Sequence, residues 1–300
     1  MDRGPWTALE PARMLKAVGS GGARAARSRD RAKGAIGMDK VGRGHQRNEE
    51  VEQLDIAQAP AVRSNITSAK FTGIVFIVAT VAFMVAATVL SMTFDWPDIL
   101  RQPADVVLPE YVDGGTSLVW TWFAVAWTYA ILAVPILLLP TALKRRDDAA
   151  LRVATWAGAA SVLLALIGFL RWVFVVPPLA DTYVNGDTAT RTAVAAAWTA
   201  QHQYGGALLG EHLGQLLGIA WSVSVSIIIL RTKLMPRWAG WLGLLASVLY
   251  FTNQGDILAT AIPSFPVWDL GGLLGSYLWA IWLLVLGVLL LRRPNSPANP

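Results

Sequence analysis

The stretch RWVFVVPPLADTYVNGDTATRTAVAAAWTAQHQYGGALLGEHLGQLLGIAWSVSVS, residues 171–226, decides how this chain folds. It joins two long apolar segments and sets one arginine, Arg171, and an adjacent acid and base, Glu211 and His212, inside them. Prolines at 177–178 cannot continue a helix, which predicts that the first segment ends there and that a polar loop follows. Charges inside apolar helices normally pair or face a polar cavity, because an isolated charge in a bilayer is costly.

The depth of these charges predicts which of them pair. Arg171 lies about five residues before the end of its segment, or roughly 8 Å along a helix that rises ~1.5 Å per residue. Glu211 lies at nearly the same depth in the next, antiparallel segment. The sequence therefore predicts an ion pair between Arg171 and Glu211.

Small residues recur at every fourth position of the second segment, and we expect them to form a helix-packing seam. Such spacing lets a neighbouring backbone approach closely, which is how membrane helices associate. At ~100° per residue, Glu211 and Gln215 lie beside this seam and face protein, whereas His212 points about 100° further round. The seam consists of Gly206, Gly210, Gly214 and Gly218, and Ser222 and Ser226 continue it.

Composition predicts an all-α, polytopic membrane helix bundle. Apolar residues make up 54% of the chain and charged residues 15%, and the mean hydropathy is +0.46. Six apolar segments approach the roughly 20 residues that a spanning helix needs. Pro135 is expected to kink the second, and the fifth is short. The segments are 71–93, 117–140, 152–176, 206–230, 238–254 and 270–291.

Charge alternates between successive connections, which predicts the topology. Basic clusters precede helix 1, separate helices 2 and 3, separate helices 4 and 5, and follow helix 6, whereas the other connections are acidic. The positive-inside rule makes the basic side cytoplasmic. The prediction is six transmembrane helices with both termini cytoplasmic.

The predicted domains are a basic tail, 1–66, a six-helix membrane domain, 67–293, and a short tail, 294–300. The low hydrophobicity of the first tail favours disorder, and its basic part is also typical of translated sequence ahead of a start at Met14 or Met38. It lacks the interleaving of aromatic and basic residues that is typical of a single-strand binder, so we expect no nucleic-acid partner. The chain has no cysteine, which excludes disulfides and thiolate chemistry.

With this topology, polar residues of helices 3 to 6 gather on the outer side. Asn253 and Gln254 end helix 5 there. Zinc is an alternative, because histidines and carboxylates suit it. The chain has no HExxH motif, however, so we expect no metal and no other cofactor. The residues that would serve as ligands in a zinc site are His202, Glu211, His212 and Asp256.

Three stretches of the chain carry a resemblance: RWVFVVPPLADTY at 171–183, HQYGGALLGEHLG at 202–214 and LMPRWAGWLGLLAS at 234–247. They resemble a bacterial multi-pass membrane family known as domain of unknown function forty-three eighty-six. The resemblance implies a bacterial inner-membrane protein but no reaction, and it marks Tyr204 as a motif position. The predicted polar cluster is therefore Arg171, His202, Tyr204, Glu211, His212, Gln215 and Asp256.

Three functions are compatible with this pattern. A binding or structural role without catalysis is favoured, because paired intramembrane charges commonly serve such roles. A metal-dependent membrane hydrolase is the first alternative. A small-molecule or proton-coupled transporter is the second, although no inverted repeat supports it. The expected partners are the lipid bilayer, a small-molecule ligand of unknown identity and a second copy of the chain.

Overall fold

In the computed structural model, which describes residues 68–293, the chain is built of helices and contains no strand in that range. The predicted tails, 1–66 and 294–300, lie outside the described residues. A 3₁₀ helix (Asp98–Arg101) joins α1 to α2, and a π-helical segment (His202–Leu213) joins α6 to α7. The α-helices are α1 (Ser68–Phe94), α2 (Ala104–Ala130), α3 (Ala133–Ala142), α4 (Ala149–Phe174), α5 (Val176–Asn185), α6 (Thr188–Gln201), α7 (Gly214–Thr232), α8 (Arg237–Phe251), α9 (Gln254–Ala259) and α10 (Asp269–Leu291).

The predicted helical membrane bundle is confirmed. Within residues 68–293, five stretches are long and apolar enough to cross a membrane: Ser68–Phe94, Ala104–Ala142, Ala149–Asn185, Thr188–Thr232 and Asp269–Leu291. The remaining predicted segment is divided between α8, which has 15 residues, and the six-residue α9. The count of six crossings stays a prediction.

The second crossing is interrupted where Pro135 predicted a kink. α2 ends at Ala130 and α3 begins at Ala133. Because proline has no N–H, the Ile131 carbonyl loses its ordinary i+4 donor and accepts from Val134 N at 3.0 Å instead. One missing donor therefore tightens the turn and divides the helix.

The prediction of a polar loop between the third and fourth segments is wrong, because those residues form a helical hairpin, α5 and α6. α4 ends at Phe174, and α5 restarts with prolines in its first turn, where a missing N–H costs nothing. Asp187 caps α6 by accepting from Thr190 N at 2.9 Å. The backbone N–H of Thr190 holds the pKa of this carboxyl below its usual range.

This cap makes the α6 end of the hairpin sensitive to acid. Because the folded-state pKa of Asp187 is lowered, its stabilisation is present above the unfolded-state pKa and lost as pH falls through the folded-state pKa. At neutral pH, Asp187→Ala is expected to speed hydrogen exchange in the first turn of α6, whereas Asp187→Asn, which can still cap, should not. Acidification should shrink the difference between wild type and Asp187→Ala. Equal exchange in both variants at neutral pH would contradict the assignment.

The interior is divided into two apolar clusters, and the one beside the candidate site is aromatic. The Trp122 and Trp172 rings stack in parallel with centroids 4.6 Å apart. Phe94 meets Trp172 edge-on at 5.5 Å, and the Tyr111 hydroxyl donates to the Trp172 carbonyl. These contacts fix the end of α4, where Arg171 lies next to Trp172.

Candidate functional site

Two helices that face each other both depart from regular α-helical geometry where they meet. The π-helical segment is twelve residues long, whereas π-helices usually occur as single-turn bulges, often at functional sites. The facing helix breaks between α8 and α9, where Asn253 N bonds to Tyr250 O and Gly255 N to Thr252 O, both i to i−3. Polar side chains of both helices meet between these irregular turns.

The centre of the site is an ion-pair triad, here called the Arg101 clasp, that joins Arg101, Glu211 and Asp256. Arg101 Nη2 donates to Glu211 Oε2 at 2.7 Å and to Asp256 Oδ2 at 2.6 Å. Arg101 Nε donates to the same Asp256 oxygen at 2.9 Å. Burial opposes the charge of Arg101, but the two carboxylates outweigh it and raise its pKa. The clasp ties the α1–α2 connection to the π-helical segment and to α9.

The clasp corrects the predicted Arg171–Glu211 ion pair. Among residues 68–293, the salt-bridge partner of Glu211 is Arg101, and Arg171 has no carboxylate within 4.0 Å. The prediction compared the depths of Arg171 and Glu211 along their helices. It took no account of the α1–α2 connection, which folds over the helix ends and carries Arg101. Arg101 is the only basic residue in the otherwise acidic stretch 95–113, and that solitary charge was the available signal.

Arg171 instead lies buried between the aromatic cluster and His202, with 7% of its surface exposed. Its Nη1 donates to Gly168 O at 3.2 Å, and its Nη2 lies 3.4 Å from His202 Nδ1. Because a guanidinium only donates, His202 Nδ1 accepts, which places the proton of the neutral ring on Nε2. The guanidinium carbon lies 5.3 Å from the centre of the Trp172 ring.

A second network, here called the amide chain, lies beside the clasp and consists of His212, Gln254, Gln215 and Asn253. His212 Nδ1 lies 2.7 Å from Gln254 Oε1, which can only accept, so this nitrogen carries a proton. Gln254 Nε2 and Asn253 Nδ2 both donate to Gln215 Oε1, at 2.9 and 3.1 Å. The amide chain therefore links the π-helical segment and α7 to the residues at the break between α8 and α9.

Two polar atoms of this region are left without partners. Arg171 Nε and Glu211 Oε1 are both buried, and neither has a hydrogen-bond partner among residues 68–293. A buried polar atom without a partner costs about 1–3 kcal/mol, and more where the group is charged. These two atoms are therefore where an additional polar group would gain most by binding.

The other predicted site residues divide into those that join the networks and those that do not. Gln215 and Asp256 join them, whereas Tyr204 is 62% exposed and makes no hydrogen bond within residues 68–293. No three histidine, aspartate or glutamate side chains in the described part of the chain are grouped as a metal site requires. Of the zinc-suited residues, Glu211 and Asp256 share Arg101, whereas His202 faces Arg171 and His212 faces Gln254.

The predicted helix-packing seam lies along α4. It sets the distance between α4, which carries Arg171, and the helix that carries Glu211. An ideal Cβ on Gly210 would lie 3.0 Å from Gly168 Cα, so these backbones touch. Ser161 Oγ donates to Gly214 O at 2.7 Å, and a Cβ on Gly218 would meet that same hydroxyl at 2.9 Å. At the other end of the seam, Gly206 packs directly against the Arg171 guanidinium, and a Cβ on Gly206 would come within 2.5 Å of Arg171 Cζ.

The fold and these networks define a class: a multi-pass helical membrane protein with a charged, hydrogen-bonded cluster at one end of its bundle. A family model described as a domain of unknown function, DUF4386, matches residues 71–287, which include both irregular helices and the clasp. The chain belongs to this family. No curated protein and no solved structure matches it.

Proposed function

We propose that this protein binds a small polar ligand, without catalysis, at the outer face of a bacterial inner membrane. The site is the Arg101 clasp with Arg171 beside it. The observation that supports this proposal is that Arg171 Nε and Glu211 Oε1 are buried without hydrogen-bond partners in the described part of the chain. A purely structural ion pair would gain stability by satisfying both atoms.

The helix irregularities support a binding role over a structural one. In membrane proteins, irregular backbone at membrane depth is tolerated where it is buried in protein or lines a cavity, and broken helices frequently form binding sites. The clasp lies between a π-helical segment and a broken helix. A role limited to stability would be served as well by two regular helices.

The outer location follows from the proposed topology of six crossings with cytoplasmic termini. Arg145, Arg231 and Arg293 lie in or beside connections at the end of the bundle away from the clasp. The positive-inside rule assigns that end to the cytoplasm. The clasp then faces the outside, where a solute reaches it without crossing the bilayer.

Binding is tested by following tryptophan fluorescence during thermal unfolding of the detergent-purified protein, with small organic cations, anions and amino acids. A ligand at 100 times its Kd stabilises by about 2.7 kcal/mol, or roughly 5–10 °C for a domain of this size. We expect one class to produce such a shift and Glu211→Gln to abolish it. Glu110→Gln is the matched control and should keep the shift.

The other outcomes separate the alternatives. No shift with any class would contradict binding and leave a structural role for the clasp. Stoichiometric zinc in the purified protein that is lost in Glu211→Gln would favour the hydrolase instead. Solute flux into vesicles that depends on Glu211 would extend the proposal from binding to transport.

A further inference from the structure

We propose that Arg101 is a tethered occupant of its own binding site, and that the ligand is an organic cation with a guanidinium or ammonium group that takes its place. This inference rests on the proposed binding function and specifies its ligand class. Glu211 and Asp256 are then the ligand-binding carboxylates, and Arg101 is their intramolecular competitor.

The geometry of the clasp shows that Arg101 uses the carboxylates incompletely. A guanidinium normally meets a carboxylate through two parallel bonds to its two oxygens. Arg101 instead directs both Nε and Nη2 to the same oxygen, Asp256 Oδ2, and reaches only Oε2 of Glu211. Glu211 Oε1 stays buried without a partner in the described residues. A cation free of the tether can reach the oxygens that Arg101 leaves unused.

Arg101 can leave without unfolding the segment that carries it. Ile99 and Leu100 are buried, at 2% and 8% exposure, and anchor the 3₁₀ helix. The side chain of Arg101 itself is 24% exposed, and those of Glu211 and Asp256 are 17% and 31% exposed. A rotation of the Arg101 side chain alone therefore opens the carboxylates to solution.

The charge balance selects a cation for the vacated site. With Arg101 turned away, the charges that remain are the two carboxylates and one nearby buried cation, Arg171, so the net charge is −1. Arg171 remains fixed, because it is 7% exposed and bonded to Gly168 O and His202. An anion would have to approach both carboxylates, and like charges at such distances repel. An amine or guanidinium restores neutrality.

The test is binding of methylguanidinium, which carries a single positive charge, measured by calorimetry on the detergent-purified full chain. Urea is the uncharged control for the guanidinium, and succinate is the anionic control. We expect saturable methylguanidinium binding to wild type, and binding about 10-fold tighter to Arg101→Ala, which is the gain expected if the Arg101 side chain leaves the site open about 10% of the time. Asp256→Asn should weaken binding.

Each other outcome overturns a defined part of the argument. Equal or weaker methylguanidinium binding to Arg101→Ala would show that Arg101 is not a competitor. A response to succinate alone would overturn the cation assignment but keep the proposed binding function. No response to any of the three probes would also overturn the cation assignment, and the thermal test with amino acids would then decide the proposed function. Should Arg101→Ala fail to fold, Arg101→Gln keeps an amide donor and gives the same comparison. If neither folds, a failure of wild type to prefer methylguanidinium over succinate overturns the inference.

Discussion

Replacing Arg101 with alanine is expected to lower the melting temperature by roughly 6–12 °C, which corresponds to about 3 kcal/mol of unfolding free energy for a domain of this size. Arg101 is the cation that neutralises Glu211 and Asp256, and its removal leaves two adjacent carboxylates facing each other. The figure is at the low end for a buried pair, because all three side chains retain some exposure to solvent. Thermal unfolding followed by tryptophan fluorescence measures it.

Two further variants identify the cause of that loss. Arg101→Ala/Glu211→Gln should be more stable than Arg101→Ala alone, because the glutamine removes one of the unpaired charges. Arg152→Ala removes an exposed arginine at the start of α4 and should change stability by no more than about 0.5 kcal/mol. A loss of similar size in Arg152→Ala would mean that overall charge, and not the clasp, sets the stability.

The second large effect is expected at the contact between α4 and the π-helical segment. In Gly168→Ala, the new Cβ would lie 2.9 Å from Gly210 Cα, and a backbone atom cannot move aside as a flexible side chain can. The helices must separate, which costs about 1–3 kcal/mol, as overpacking of a filled core does. Thermal unfolding and the hydrogen exchange of residues 202–213 should both report the change.

Gly205→Ala is the control for this substitution. Gly205 lies in the π-helical segment that Gly168 contacts from α4, and a Cβ there would meet Arg171 Cδ at 3.6 Å, an ordinary van der Waals distance. We expect Gly205→Ala to leave the melting temperature within a few degrees of wild type. Equal destabilisation by both alanines would show that this helix pair rejects a side chain on either helix, and that the close approach of Gly168 to Gly210 is not the reason.

Local patterns predicted those parts of the fold that depend on neighbouring residues in the chain. Apolar length predicted the membrane helices, and Pro135 predicted the interruption of the second, because a missing N–H acts within one turn. The glycine spacing pointed to a close helix contact, and Gly210 meets Gly168 in this way. The hairpin of α5 and α6 was missed, because a proline pair ends one helix and equally well begins the next.

Patterns of this kind could not determine the winding of the helices around the site. The angles of Glu211 and His212 assumed ~100° per residue, whereas residues 202–213 are π-helical and turn differently. Both side chains therefore reach α9, Glu211 through Arg101 and His212 through Gln254. The partner of His212 belongs to the facing helix, 42 positions away, so spacing within the segment could not predict the contact.

The sequence by itself determined that this is a multi-pass helical membrane protein with charges near one end of its bundle, because hydrophobic length and buried charge act locally. Only the tertiary structure decided which charges pair. The partner of Glu211 is Arg101, 110 residues earlier in the chain, because the α1–α2 connection folds across the helix ends. An ion pair forms between whichever opposite charges the fold brings within about 3 Å, and that distance is set by the packing of the whole bundle.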